Sequence, residues 1–144
     1  MKYTQINPKL YKQNRERFIK AMKPNSIAIF SCNPVVAENG DAVYNYKANS
    51  DVVWLSGVTQ EQTMVILYPD NAIKKAGEIL VIQRPDETLE KWNGHLLRKA
   101  EATELSGIEN VQFVDSIDAQ IQLWMHHADN VYLNSNENDR RGDV

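Results

Sequence analysis

From Leu10 to Met22 apolar side chains return every three to four positions: Leu10, Tyr11, Phe18, Ile19 and Met22, with Asn14 on the same stripe. That spacing predicts an amphipathic helix with one buried face. Asn7-Pro8 supplies its start, with Asn as cap and Pro at the first helical position. Lys23-Pro24-Asn25 ends it, because Pro disfavours helical geometry in the residue before it. Arg15 and Arg17 fall off the stripe.

The pattern then changes. Ser26–Cys32, Thr63–Tyr68 and Glu78–Gln83 are apolar runs of strand length, closed by Asn33-Pro34, Pro69-Asp70-Asn71 and Arg84-Pro85. Such runs predict strands covered on both faces, the last two forming a hairpin. Residues 33–42 read as a loop. Beyond Pro85 a helical turn carries Leu89 and Trp92 three apart on one face and stops at Asn93-Gly94. A helix from Arg98 to Leu105 stops at Ser106-Gly107. A short strand, Val111–Val114, follows. Asp115-Ser116 then caps a helix with Ile117, Ile121, Trp124 and Met125 on one stripe, and Val131–Leu133 is the last strand. Strands first as a group, then alternating with helices, predict an α/β fold: a mixed sheet with helices packed on it. Residues 1–134 form one domain in this reading, and 135–144 a polar tail without periodicity.

Within that frame, Asn39 to Gly57 concentrates unusual residues. Asn39-Gly40-Asp41 is a turn signal. Tyr44 and Tyr46 alternate with smaller residues, as on a short strand. Asn49 and Ser50 are both side chains able to cap a short helix through Val52, Val53 and Trp54, which Gly57 stops. An aromatic cluster between polar turns reads either as a binding edge or as ordinary core rings.

Composition narrows the function classes. The 144 residues suit one domain, and a net charge of −3 lacks the basic surface of nucleic-acid binders. No apolar run approaches the ~20 residues that cross a bilayer. The N-terminus lacks the apolar core of a signal peptide, and the single Cys32 excludes an internal disulfide, so a cytoplasmic location is expected.

The chemistry-bearing residues do not converge on an active site. A metal centre needs three or four His, Cys, Asp or Glu ligands. The histidines are His95 and the adjacent pair His126 and His127, which point about 100° apart on a helix and suit its C-terminal end. There is no Gly-x-Ser-x-Gly elbow and no phosphate-cradling glycine loop. Cys32 lies in a predicted buried strand, where Cys serves as a small hydrophobe.

The motifs in their order resemble those of the N-terminal domain of aminopeptidase P, in the creatinase/prolidase group. That family shows an Asp, then Tyr-x-Tyr/Phe-Arg, Asn-Ser-Asp, aromatics and Leu-Thr-Gly. This chain has Asp41, Tyr44-Asn-Tyr46-Lys47, Asn49-Ser50-Asp51 and Trp54-Leu55-Ser56-Gly57. Further matches are Lys23-Pro24-Asn25-Ser26, Gly57-Val-Thr-Gln-Glu-Gln62, Arg84-Pro85-Asp86 and Glu90-Lys91-Trp92-Asn93-Gly94. Lys47 and His95 stand where Arg is usual, Ser56 where Thr is usual, and Val52 and Val53 where rings are common. Lys47 departs most, since Lys lacks the planar fork of Arg.

The resemblance implies a ribonuclease-H-like mixed sheet flanked by helices. It also implies a role as the non-catalytic part of an Xaa-Pro aminopeptidase. Catalysis would belong to a separate C-terminal domain with two divalent metal ions, usually manganese, and this chain alone would be no enzyme. The implied partners are that catalytic domain, further copies in a homo-oligomer (dimer or tetramer) and Xaa-Pro peptides, without nucleic acid or membrane. Asp41 matches the acidic position at the cleft edge, and Trp92 a tryptophan reaching toward a neighbouring subunit's substrate site. Tyr46, Asn49 and Ser50 match the motif as domain-shaping residues. Read from the residues alone, Trp92 is equally a core ring of its helix and Asp41 a turn former. A free-standing interaction or ligand-binding domain, or the N-terminal domain of a prolidase- or creatinase-like enzyme, is the competing reading.

Overall fold

Successive side chains of a strand point to opposite faces, so the apolar runs are covered on both sides only if layers lie above and below the sheet. The structure, a computed structural model, describes residues 6–31, 37–39, 42–43, 49–71 and 77–134 and has this arrangement. Five strands pair in the order β6-β5-β4-β1-β7. They are β1 (Ser26–Ser31), β4 (Met64–Leu67), β5 (Glu78–Ile82), β6 (Asn110–Phe113) and β7 (Asn130–Leu133). β4 runs antiparallel to β1 and β5, whereas β7 is parallel to β1 and β6 parallel to β5. This is the mixed sheet with flanking helices that the pattern predicts.

One face carries Ala28, Phe30, Val65, Leu67, Leu80, Ile82 and Val111. It is covered by α1 (Lys9–Ala21) through Phe18 and Ile19, α2 (Ser50–Ser56) through Val52 and Leu55, and α4 (Lys99–Ser106) through Ala102. The other face carries Ile27, Ile29, Ile66, Tyr68, Ile79 and Val81 under α5 (Asp118–His127), which contributes Ile121 and Trp124. A single 3-10 turn, Val114–Ser116, leads into α5, so Asp115 and Ser116 precede the helix without capping it. Met125, on the predicted stripe, is 39% exposed and outside the core. His126 and His127 lie in the last turn of α5, where a positive charge would suit the helix dipole.

Two further sequence expectations are corrected. Residues 33–42 are not all loop: β2 (Ala37–Asn39) pairs antiparallel with β3 (Ala42–Val43), Asn39 opposite Ala42. These strands are too short for a hydrophobic period to register. The second correction is Arg15, which lies off the apolar stripe yet is fully buried. It is held where α2 and α4 end. The last carbonyls of a helix have no partner within it and need one from outside. Arg15 Nη1 donates to Leu55 O and to Ser106 O, both at 2.8 Å, and Asn14 Nδ2 donates to Trp54 O at 2.8 Å. Arg15 Nε also lies 3.2 Å from a carboxylate oxygen of Glu78.

The two helix ends are built alike. Leu55-Ser56-Gly57-Val58 and Leu105-Ser106-Gly107-Ile108 close α2 and α4 with the same bonds. Each Ser hydroxyl donates to the carbonyl four residues back, at 2.7 Å, and accepts the N–H two residues on, at 3.2 Å in α2 and 3.1 Å in α4. Gly57 and Gly107 take φ of +73° and +78°, the left-handed stop that glycine adopts most readily.

Candidate functional site

Trp92 sits on α3 (Glu87–Asn93), a seven-residue helix that no other described element packs against broadly. So short a helix is not stable by itself and must be held by its ends and side chains. Its root is fixed by Asp86, whose carboxylate accepts the Thr88 N–H at 2.8 Å. Just before it, Arg84 forms a two-pronged pair with Asp115 at 2.7 and 3.0 Å. The same guanidinium lies 4.3 Å from the centre of the Phe113 ring, with Lys99 4.7 Å from that ring's centre. That pair holds the Asp115 carboxyl below its ordinary range and ties the exit of β5 to the exit of β6.

The far end of α3 is held by charge. The Glu90 carboxylate is 2.8 Å from Arg98 Nη1 and 3.3 Å from His95 Nδ1, and accepts the Leu96 N–H at 3.3 Å. His95 Nε2 lies 2.9 Å from Glu101, which accepts the Arg98 N–H at 3.1 Å and so caps α4. Leu97 donates its N–H to Gln60 at 2.9 Å, and Leu96 is buried. Residues 95–98 are thus fastened to α4 and to the loop after Gly57. His95, Leu96 and Leu97, together with Thr59, Gln60 and Glu61, line an open cavity of about 490 Å³.

These bonds shift both acids. Burial works against the ionised form of Glu90, but Arg98, the Leu96 N–H and His95 together hold its carboxyl below the ordinary value. His95 first, then the Arg98 N–H, do the same for Glu101. A lowered folded pKa stabilises the fold above the unfolded value, about 4.3 for Glu, and this contribution is lost as pH falls through the lower folded value. The amide resonances of Leu96 and Arg98 are therefore expected to titrate with midpoints below ~4.3 in an NMR pH series. Midpoints above it would mean that the network does not hold the acids ionised.

The predicted site residues divide. Trp92 is 83% exposed and is not a core ring of this chain. Its helix mate Leu89 is half-buried. Asn49 is 1% exposed and accepts the N–H groups of Asp51 and Val52 at 2.9 and 3.3 Å, which makes it the cap of α2. Ser50 opens that helix at the surface. Asp41 and Tyr46 lie outside the described residues, as does Cys32. Among the described residues no three His, Cys, Asp or Glu side chains converge to hold a metal ion, and no helix is long and apolar enough to cross a membrane. Sequence reasoning named Glu90 only as part of a motif and Arg98 only as a helix start, and missed the network they form with His95 and Glu101. The signal available was the acid two residues before Trp92 with basic side chains five and eight residues after that acid.

A family model, aminopeptidase P, N-terminal domain, matches residues 11–132. The chain belongs to this family. It is 24% identical over 129 residues to the Xaa-Pro aminopeptidase of Escherichia coli K12, covering 90% of this chain and 29% of that protein. It is 26% identical over 87 residues to the Xaa-Pro aminopeptidase of Haemophilus influenzae, covering 60% of this chain and 20% of that one. The structure of Pseudomonas aeruginosa aminopeptidase PepP superposes with a TM-score of 0.82 at 26% identity, over 98% of this chain and 32% of that one. This aminopeptidase P N-terminal domain therefore spans a third or less of the length of these relatives.

Proposed function

We propose that this chain is the non-catalytic N-terminal domain of an Xaa-Pro aminopeptidase, which removes the residue preceding proline, and that it shapes substrate access and oligomer contacts. The observation that carries this reading is the exposure of Trp92 on a short helix anchored by charge from its opposite side. A large, stiff ring held away from its own core offers an apolar face to a peptide's proline ring at a neighbouring subunit's cleft. Asp41 attracts the peptide's free amino group at the cleft edge. Tyr46, Asn49 and Ser50 shape the domain behind it, Asn49 as the cap of α2. Two divalent metal ions, manganese in this reading, belong to the catalytic domain, where they supply an activated water. This chain's residues admit and orient the peptide. The protein is a cytoplasmic homo-oligomer that acts on peptides and engages neither nucleic acid nor membrane.

Trp92→Ala tests this in two readouts. In this chain it is expected to change stability by less than ~0.5 kcal/mol, as surface substitutions do. Trp124→Ala, at a ring only 7% exposed, is expected to cost about 3–5 kcal/mol. In the peptidase that carries this domain, Trp92→Ala is expected to raise KM for Xaa-Pro peptides. An unchanged KM would remove Trp92 from the site.

A further inference from the structure

We propose that Glu90 is the positioning residue for Trp92, fixing the direction in which α3 presents the ring; this rests on the reading of Trp92 given above. Residues two apart on a helix point about 200° apart. One short helix can therefore turn Glu90 inward and Trp92 outward, and the side chain of Glu90 is 17% exposed against 83% for Trp92 as a residue. Among the described residues, the charged and polar ties between α3 and the segment after Gly94 run through this carboxylate: Arg98 at 2.8 Å, His95 at 3.3 Å and the Leu96 N–H at 3.3 Å. The receiving segment is itself immobilised by Glu101, by Gln60 and by the burial of Leu96. Asp86 and Arg84 fix only where the helix starts. The tie at Glu90 fixes its rotation and tilt, and these decide where a ring at the other side of the helix points.

The test has a structural and a kinetic readout. In this chain, Glu90→Ala is expected to lower the NMR order parameters of residues 87–93 and of the Trp92 indole N–H from about 0.85 toward 0.6 or below. The melting transition should survive. Arg98→Met breaks the same tie from its other end and should do the same, so a folding failure of either variant leaves the other to decide. Unchanged order parameters in both would overturn the proposal.

In the peptidase, Glu90→Ala is expected to raise KM about fivefold, the low end of usual coupling between sites, with kcat nearly unchanged. In a Trp92→Ala background it should have no further effect, because its whole influence passes through that ring. An equal rise in both backgrounds would show that Glu90 acts by another route and would overturn the positioning role alone. A rise with Trp92→Ala but none with Glu90→Ala would do the same while leaving the role of Trp92 intact. No change with Trp92→Ala would overturn both.

Discussion

Arg15→Met is expected to remove a large share of this domain's stability, about 3 kcal/mol, while leaving most of the population folded at room temperature. The substitution keeps an apolar stem of similar length and removes the guanidinium. Leu55 O and Ser106 O then lose their bonds at the buried ends of α2 and α4, and Glu78 loses its cation. Removing one partner of a buried charged group costs about 3–5 kcal/mol, because the groups left behind stay dehydrated and unpaired. Arg15 Nη2 is itself buried without a hydrogen bond among the described residues, so deleting it relieves one penalty and places the expectation at the lower end. Domain stabilities run to about 5–15 kcal/mol, so even that end removes a large share. Arg15→Lys should rescue little, since a point charge lacks the fork that reaches two carbonyls and a carboxylate at once. Urea titration followed by circular dichroism measures both variants. A midpoint unchanged in Arg15→Met would mean that the helix ends find other partners.

Where local rules suffice, the sequence was legible. Asn49, Gly57, Gly107 and the hairpin of β4 and β5 follow from capping chemistry and from apolar runs between turn residues. Arg15 was not legible, because a periodic pattern can only class a charge as outside. Its acceptors lie 40 and 91 residues away and exist only once α1, α2 and α4 meet. For Trp92 the pattern left core ring and exposed site ring equally open, for a related reason. Leu89 and Trp92 have helical spacing, but no other described element packs broadly against α3, so the period half-buries Leu89 and leaves Trp92 exposed. Trp54, which the pattern left open between a binding edge and a core ring, is 45% exposed beside the buried Leu55. The sequence held the family motif around Trp92, yet not the charge network beneath it, since the pairings of Glu90 and Glu101 depend on how the chain turns after Gly94.

The twin helix ends give the last expectation, because they separate backbone strain from crowding. Gly57→Ala and Gly107→Ala place the same methyl group at nearly the same backbone angles, φ +73° and +78°. Left-handed geometry costs a residue with a Cβ roughly 1–2 kcal/mol, and both variants bear that. They differ in what the methyl meets. At Gly107 the nearest atoms are 3.6 Å away, an ordinary contact, whereas at Gly57 two ring carbons of Tyr11 lie at 2.5 Å and its hydroxyl at 2.9 Å. Ring and methyl cannot both stay, and because the crowding atoms are the tip of a half-buried side chain, displacing them costs a further ~1 kcal/mol, the low end for added volume. Gly57→Ala is therefore expected to melt several degrees below Gly107→Ala, at about 3–4 °C per kcal/mol for a chain of this size. Combining Gly57→Ala with Tyr11→Ala should recover the difference, since the crowding term needs both groups. Equal melting temperatures for the two glycine variants would mean that Tyr11 swings aside freely.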